Sequence, residues 1–315
     1  MTFALAPLAG FTDAPFRRLA FEGGADLTYT EMVSAAGLAH GSSPTRHLME
    51  KMSGEGPLAV QFFGSKETDI YHAVSSLTDD ERARFVEVNL NAGCPMTKVT
   101  REGAGAKLIE DPEKIYRLLK AMCEATDLPV SLKTRLGPHP RTQAIFEILD
   151  AAERAGAKKL IVHARYTSQM HGGEVHLDVL EEVVKRAKIP VVGNGSIVDR
   201  KTLKAFEATG IAGVMIGRAA LSDSTIFARL KGEEISEIPL FDRHLEYVLA
   251  FRDQLAAAYP NDHVPSRDAF ASVKMHTHLF RYFNGRPGAA ALRARLNQVR
   301  TLKEIYDCLD SQSLR

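Results

Sequence analysis

The stretch PVSLKTRLGPHPRTQAIFEILDAAERAGAKKLIVHAR (129–165) decides the fold. It opens on a short apolar run, PVSLKTR (129–135). It continues through TQAIFEILDAAERAGA (142–157), whose apolar residues recur at helical spacing and stop at Gly156. It closes on a second apolar run, KLIVHAR (159–165). Run, helix, run is the βαβ unit of a parallel sheet, whose doubly buried strands read as short segments rich in Val, Ile and Leu.

The same rhythm extends in both directions. FALAPL (3–8), DLTYTEM (26–32), PLAVQFFG (57–64) and FVEVNLN (85–91) precede it, and PVVGNG (190–195) and GVMIGR (213–218) follow. The intervening segments carry helix signals. PEKIYRLLKAMCEA, for example, has Pro112 in its first turn behind Asp111 as N-cap. Eight such units predict the α/β class, specifically a (β/α)8 TIM barrel. An open doubly wound sheet rarely has eight even units, and no GxGxxG follows the first run. From about residue 239 the strand-like runs cease. RHLEYVLAFRDQLAAA, DAFASVKMHTHLFRYF, GAAALRARLNQV and LKEIYDCL predict a small all-helical C-terminal domain over 239–315, behind a catalytic barrel over 1–238.

Composition narrows the function classes. Hydrophobic residues at 45% and charged residues at 25% are ordinary globular values and exclude a disordered chain or a coiled-coil rod. Forty Lys and Arg against 39 Asp and Glu exclude a generally basic coat, so any nucleic-acid contact needs a local patch. Three cysteines, Cys94, Cys123 and Cys308, make no disulfide framework, and without a CxxC pair no metal site is expected. A cytoplasmic location is the expectation. No apolar run approaches the ~18 residues of a membrane span, and the N-terminus does not read as a secretory signal.

In a barrel, chemistry gathers where strands end. The ends here carry Pro7, Leu8 and Ala9; Glu31; Gln61; Asn91 followed by Gly93-Cys94-Pro95; Lys133 and Arg135; His163 and Arg165; Gly193-Asn194-Gly195-Ser196; and Gly217-Arg218. Polar side chains converging there are costly without partners, which implies a polar ligand. The glycines of the last two loops allow backbone N–H groups close to a phosphate, with Arg218 adding charge; tight turns and a surface arginine are the alternative. Lys133 suits the anionic N1/O2 edge of a reduced flavin, a Schiff base, or an ion pair with Glu31. Gln61 suits a flavin edge or a core amide, and His163 a ligand contact or a structural bond. Cys94 stands on a loop, unlike Cys123 and Cys308, which read as inert. A free thiol has a pKa of about 8.5 and is mostly protonated near pH 7, so it can act as a general acid.

Together these pieces resemble the tRNA-dihydrouridine synthase family. The resemblance rests on APLAGFTDAPFRRL (6–19), TEM (30–32), QFFG (61–64), NLNAGCPMTKVTREGAGAKL (89–108), SLKTRLG (131–137), VHAR (162–165), VVGNGSI (191–197) and VMIGRAAL (214–221). It implies an NADPH- or NADH-dependent FMN oxidoreductase that reduces particular uridines of tRNA to 5,6-dihydrouridine. By that likeness FMN contacts Pro7, Leu8, Ala9, Gln61, Lys133 and His163. Its phosphate contacts Asn194, Gly195, Ser196, Gly217 and Arg218. Asn91, Arg135 and Arg165 face flavin or target base. The flavin N5 gives a hydride to uracil C6, and Cys94 protonates C5. The strand-six loop departs from the family pattern at Ala164, Tyr166 and Leu177.

A target base must be turned out of folded tRNA, which requires a gripping surface. Arg267, Lys274, Arg281, Arg286, Arg293, Arg295, Arg300 and Lys303 face one acid, Asp268, with His278, Tyr282 and Phe283 interleaved, so this segment is the expected RNA contact. The nearest alternative is an FMN barrel enzyme acting on a free pyrimidine, dihydroorotate-dehydrogenase-like. A Schiff-base lyase using Lys133 and a non-catalytic tRNA-binding chaperone are more distant ones. No obligate protein partner is evident, and a monomer is the default expectation.

Overall fold

All eight predicted runs are strands: β1 (Thr2–Leu5), β2 (Thr28–Ser34), β3 (Leu58–Phe63), β4 (Phe85–Ala92), β5 (Val130–Arg135), β6 (Lys159–His163), β7 (Val191–Asn194) and β8 (Gly213–Ile216). They belong to a computed structural model that describes residues 1–234, 240–282, 289–296 and 298–310. Every adjacent pair is parallel, and β1 pairs with β8. The ring closes just ahead of β2, where Leu5 N donates to Leu27 O (2.9 Å) and Asp26 N to Phe3 O (2.8 Å). The TIM barrel expected from the sequence is therefore the observed fold.

Local signals stop and start the helices as expected. The Asp111 carboxylate accepts from Lys114 N (3.0 Å) ahead of Pro112–Ala125. Gly156, at φ +94°, ends Ile145–Ala155 in the left-handed conformation that glycine adopts freely. The main core lies between strands and helices and includes Leu58, Val60, Leu118, Leu132, Ile148 and Leu160. A second apolar group fills the barrel interior with Ala4, Tyr29, Ala59, Ile161, Val192 and Met215.

The C-terminal helices are Leu240–Ala258, Arg267–Tyr282, Ala289–Leu296 and Leu302–Asp310. They share a small core of their own around Phe241, Val248, Met275, Leu279, Leu296 and Ile305. Three residues of the first of these helices, Tyr247, Phe251 and Leu255, belong to the barrel core instead. Each such side chain contributes about 1.5–3 kcal/mol when buried, so the helical segment is seated on the barrel rather than tethered to it. The expected boundary at 238/239 lies outside the described residues. Cys308 is buried and Cys123 half-buried. No helix among the described residues is long and apolar enough to cross a membrane.

Candidate functional site at the barrel rim

Cys94 stands on the loop after β4, half-buried, and that loop is held from several directions. Asn91 Oδ1 accepts from the backbone N–H of Gly93 (3.1 Å) and of Cys94 (3.0 Å). Arg135 Nε donates to Gly93 O (2.8 Å), and Ala106 N to Cys94 O (2.8 Å). Gly105, at φ +59°, lies so close that a Cβ there would come within 2.6 Å of the Cys94 carbonyl oxygen. The loop thus needs a glycine at 105.

Below the loop, an amide chain runs down the barrel interior. Asn91 Nδ2 donates to Gln61 Oε1 (2.8 Å), Gln61 Nε2 to Asn89 Oδ1 (2.7 Å) and Asn89 Nδ2 to Ser131 Oγ (2.5 Å). It ends on Glu87, which also accepts from Tyr29 (2.8 Å) and pairs with Lys159 (2.5 Å). Strand periodicity puts Glu87, Asn89 and Asn91 on one inward face. Gln61 is wholly buried, with both ends of its amide engaged in this chain.

On the other side of Cys94 the rim is cationic. Lys133 Nζ donates to Asn194 Oδ1 (3.1 Å), and Asn194 Nδ2 donates to Met215 O (2.8 Å), tying β5, β7 and β8 together. Burial, then Arg135, pulls the Lys133 ammonium down to about 7, with Cys94 opposing. Burial brings Arg135 down to about 10, with Arg165 adding to the effect against Cys94. His163 lies far below the ordinary imidazole range, through burial and then Lys133, Arg135 and Arg165, and is neutral. His171, its rings 6.3 Å from His163, moves the same way. The guanidinium groups are satisfied by neutral acceptors. Arg135 donates to Met170 O (2.7 Å) and Tyr166 O (3.3 Å), and Arg165 to Gly173 O (2.8 Å) and Ser196 Oγ (2.6 Å). Among the described residues, none of these cations pairs with a carboxylate.

The loops after β7 and β8 border a cavity of about 260 Å³ lined by Asn194, Gly195, Ser196, Gly217, Arg218 and Arg281. Gly195 has φ +130°, and a Cβ there would meet the His163 ring at 3.0 Å. Ser196, a non-glycine at φ +52°, is held in that conformation by Arg165. Arg218 is exposed and donates to His171 O (3.0 Å). Leu8 adjoins this cavity, its side chain 3.8 Å from where a Gly217 Cβ would stand, and Pro7 and Ala9 flank it in the chain, half-buried and exposed respectively. Arg281 reaches this cavity from the Arg267–Tyr282 helix. Sequence reasoning counted it with the RNA-facing cations, and no local signal could place it here, because only the seating of the helical segment does so.

Several of these residues have partners that the sequence does not show. Asn91, Arg135 and Arg165, expected to face flavin or base, are buried: Asn91 Oδ1 and Arg135 Nε hold the Cys94 loop, Asn91 Nδ2 bonds Gln61, and Arg135 Nη1 and Arg165 bond the loops after β6 and β7. Glu31 does not pair with Lys133. It accepts from Gly10 N, and its neighbouring charges are Asp13, Lys274 and Arg17. Within the expected RNA-facing stretch, Lys274 is paired to Asp13 (3.0 Å), His278 is 1% exposed against Phe11 and Phe16 of the barrel, and Tyr282, 8% exposed, lies in the helical segment's own core. Arg286 and Phe283 lie outside the described residues, as does the Arg293 side chain.

A family model described as "Dihydrouridine synthase (Dus)" matches residues 4–314. A probable tRNA-dihydrouridine synthase of Treponema pallidum (strain Nichols) is 31% identical over 90% of this chain and 84% of its own length. The tRNA-dihydrouridine synthases B of Klebsiella pneumoniae and Escherichia coli (strain K12) are each 34% identical over 75% of this chain and 74% of theirs. Among solved structures, morphinone reductase aligns over 77% of this chain and 88% of its own, at 14% identity and a TM-score of 0.50. A 2-naphthoyl-CoA reductase aligns over 73% and 50%, at 10% identity and a TM-score of 0.56. At those identities the structural likeness speaks for the barrel alone. The match along nearly the whole sequence does more: this chain belongs to the dihydrouridine synthase family of flavin-dependent oxidoreductases.

Proposed function

We propose that the chain binds FMN across the barrel rim and, with NADPH or NADH as reductant, reduces particular uridines of tRNA to 5,6-dihydrouridine. One observation carries the reading: a rim of buried cations shifted by burial and by one another, beside a glycine-lined cavity, with no carboxylate paired to them among the described residues. Such a rim calls for a ligand with a phosphate at one end and an anion-accepting edge at the other. FMN fits that donor set.

Asn194, Gly195, Ser196, Gly217 and Arg218 would hold the phosphate, with Arg281 alongside. Pro7, Leu8 and Ala9 would line the ring, and Gln61, Lys133 and His163 would meet its polar edges. When bound, the flavin supplies the hydride. An anionic edge beside Lys133 raises its pKa from about 7, so the lysine takes up a proton as it binds. Cys94 Sγ holds the proton delivered to C5 of the uracil ring. Asn91, Arg135 and Arg165 keep its loop and the neighbouring loops in place. Water is excluded as the base closes the rim. The helical segment, with 238/239 as its working boundary, would grip the tRNA backbone, and the chain would act in the cytoplasm as a monomer.

The test is direct. The purified protein should release FMN near one equivalent per chain. With NADPH or NADH it should form dihydrouridine in tRNA from cells lacking this gene, read by nucleoside mass spectrometry. A colourless protein that refuses FMN ends the proposal. Turnover of dihydroorotate or orotate without dihydrouridine would move it to the free-pyrimidine class.

A further inference from the structure

Three side chains from three separate elements converge beneath the helical segment, none of them lining the rim cavity. Asp13 caps the Ala14–Glu22 helix of the barrel, His244 comes from Leu240–Ala258, and His278 from Arg267–Tyr282. One carboxylate oxygen and one nitrogen of each ring lie within 4.8 Å of one another. All three residues are buried, His244 at 0% and His278 at 1% exposure. His244 Nε2 and both ring nitrogens of His278 have no hydrogen-bond partner. Buried polar atoms in that state are costly and ask for an ion or a water to complete them.

We propose that Asp13, His244 and His278 form a site for a divalent transition-metal ion of the zinc class, which staples the helical segment to the barrel. Two imidazoles and one carboxylate are a borderline donor set of the kind zinc and its first-row neighbours take, leaving a fourth position for water. The surroundings support the first shell. Tyr282 Oη lies 2.7 Å from His244 Nδ1, which fixes that ring and leaves Nε2 as the ligand atom. Lys274 bonds Asp13 Oδ2 (3.0 Å), so the carboxylate would reach the ion through its other oxygen, which now receives only a 3.3 Å bond from Phe16 N. Glu31 adds a second negative charge nearby.

His278 stacks on Phe16, ring centroids 5.0 Å apart, and meets His244 edge-on at 4.5 Å. The Phe11 carbonyl faces His278, short of hydrogen-bond geometry. In a tetrahedral ion with bonds of about 2.0–2.2 Å, ligand atoms stand roughly 3.4 Å apart, against separations of up to 4.8 Å here.

The full-length protein is freed of metal with dipicolinate and titrated with Co²⁺ or Zn²⁺. The expected result is one equivalent bound per chain, visible cobalt absorption bands, and a thermal midpoint several degrees higher. The double variant His244→Gln/His278→Gln should lose all three. Wild-type protein that gains neither bands nor midpoint overturns the site. So does a double variant that binds like the wild type, since other histidines then hold the ion. Should the double variant not fold, Tyr282→Phe serves: about 10–100-fold weaker metal affinity supports the site, and unchanged affinity overturns it. None of these readouts depends on flavin or tRNA.

Discussion

The two ends of this barrel are built from the same strands and handle charge in opposite ways. At the floor, Glu87 is answered by Lys159 (2.5 Å), Tyr29 and Ser131. At the rim, Lys133, Arg135 and Arg165 are answered by an amide oxygen, carbonyls and a hydroxyl, which satisfy their hydrogen bonds and leave their charge. β5 supplies Ser131 to the first and Lys133 to the second; β6 supplies Lys159 and His163. A balanced buried charge holds a fold together, whereas an unbalanced one awaits a ligand.

That contrast can be broken at specific residues. The largest effect belongs to the rim's proton donor. Cys94→Ala should slow tRNA reduction by about 10²–10⁴-fold, with FMN content and flavin reduction by NADPH retained. Single-turnover reoxidation of the reduced enzyme by tRNA measures this, and an unchanged rate removes Cys94 from the acid role.

Next is the floor. Glu87→Ala leaves Lys159 without its buried partner and should destabilise the fold by about 3–5 kcal/mol, read by denaturant titration. Flavin affinity of the folded fraction should change little. Lys133→Met should do the reverse. Losing a bond between a cation and an anionic edge, worth about 1.5–3 kcal/mol, weakens FMN roughly 10–100-fold, while apoprotein stability holds or rises. If Lys133→Met destabilises as Glu87→Ala does, the distinction between the two ends fails.

The smallest effect is in pH. The folded Lys133 titrates near 7, and an unfolded lysine near 10.5. Between those values the unfolded chain binds more protons, so this group adds stability as pH rises from 7 to 9. Apoprotein melting curves should show the trend, Lys133→Met should flatten it, and saturating FMN should suppress it.

Much of the barrel was legible because parallel strands are buried on both faces and leave unbroken apolar runs, and because caps such as Asp111 and Gly156 act locally. The rim residues were legible for a related reason: period-two alternation carries Lys133 and Arg135, or His163 and Arg165, to the same end. What each side chain does there was not. The partners of Asn91 are Gln61 and its own loop backbone, and those of Arg135 and Arg165 are carbonyls of loops that only folding brings near. The helical segment misled for the same cause. Lys274, His278 and Tyr282 look like an RNA-facing stripe until Asp13, far earlier in the chain, is seen beneath them.

The amide chain inside the barrel also has a direction. Glu87 can only accept, so the Ser131 hydroxyl must point its hydrogen downward and offer its lone pairs to Asn89 Nδ2. That choice turns Asn89 Oδ1 toward Gln61 Nε2, and Gln61 Oε1 toward Asn91 Nδ2. Asn91 is left with its oxygen aimed at the Gly93 and Cys94 amides. An anion at the bottom of the cylinder, which only accepts, and two peptide N–H groups at the top, which only donate, thereby agree on which way every dipole between them faces. Glu87→Gln, nearly the same shape, would remove the lower anchor alone, and the Gly93 and Cys94 amides would still hold Asn91 in its present sense.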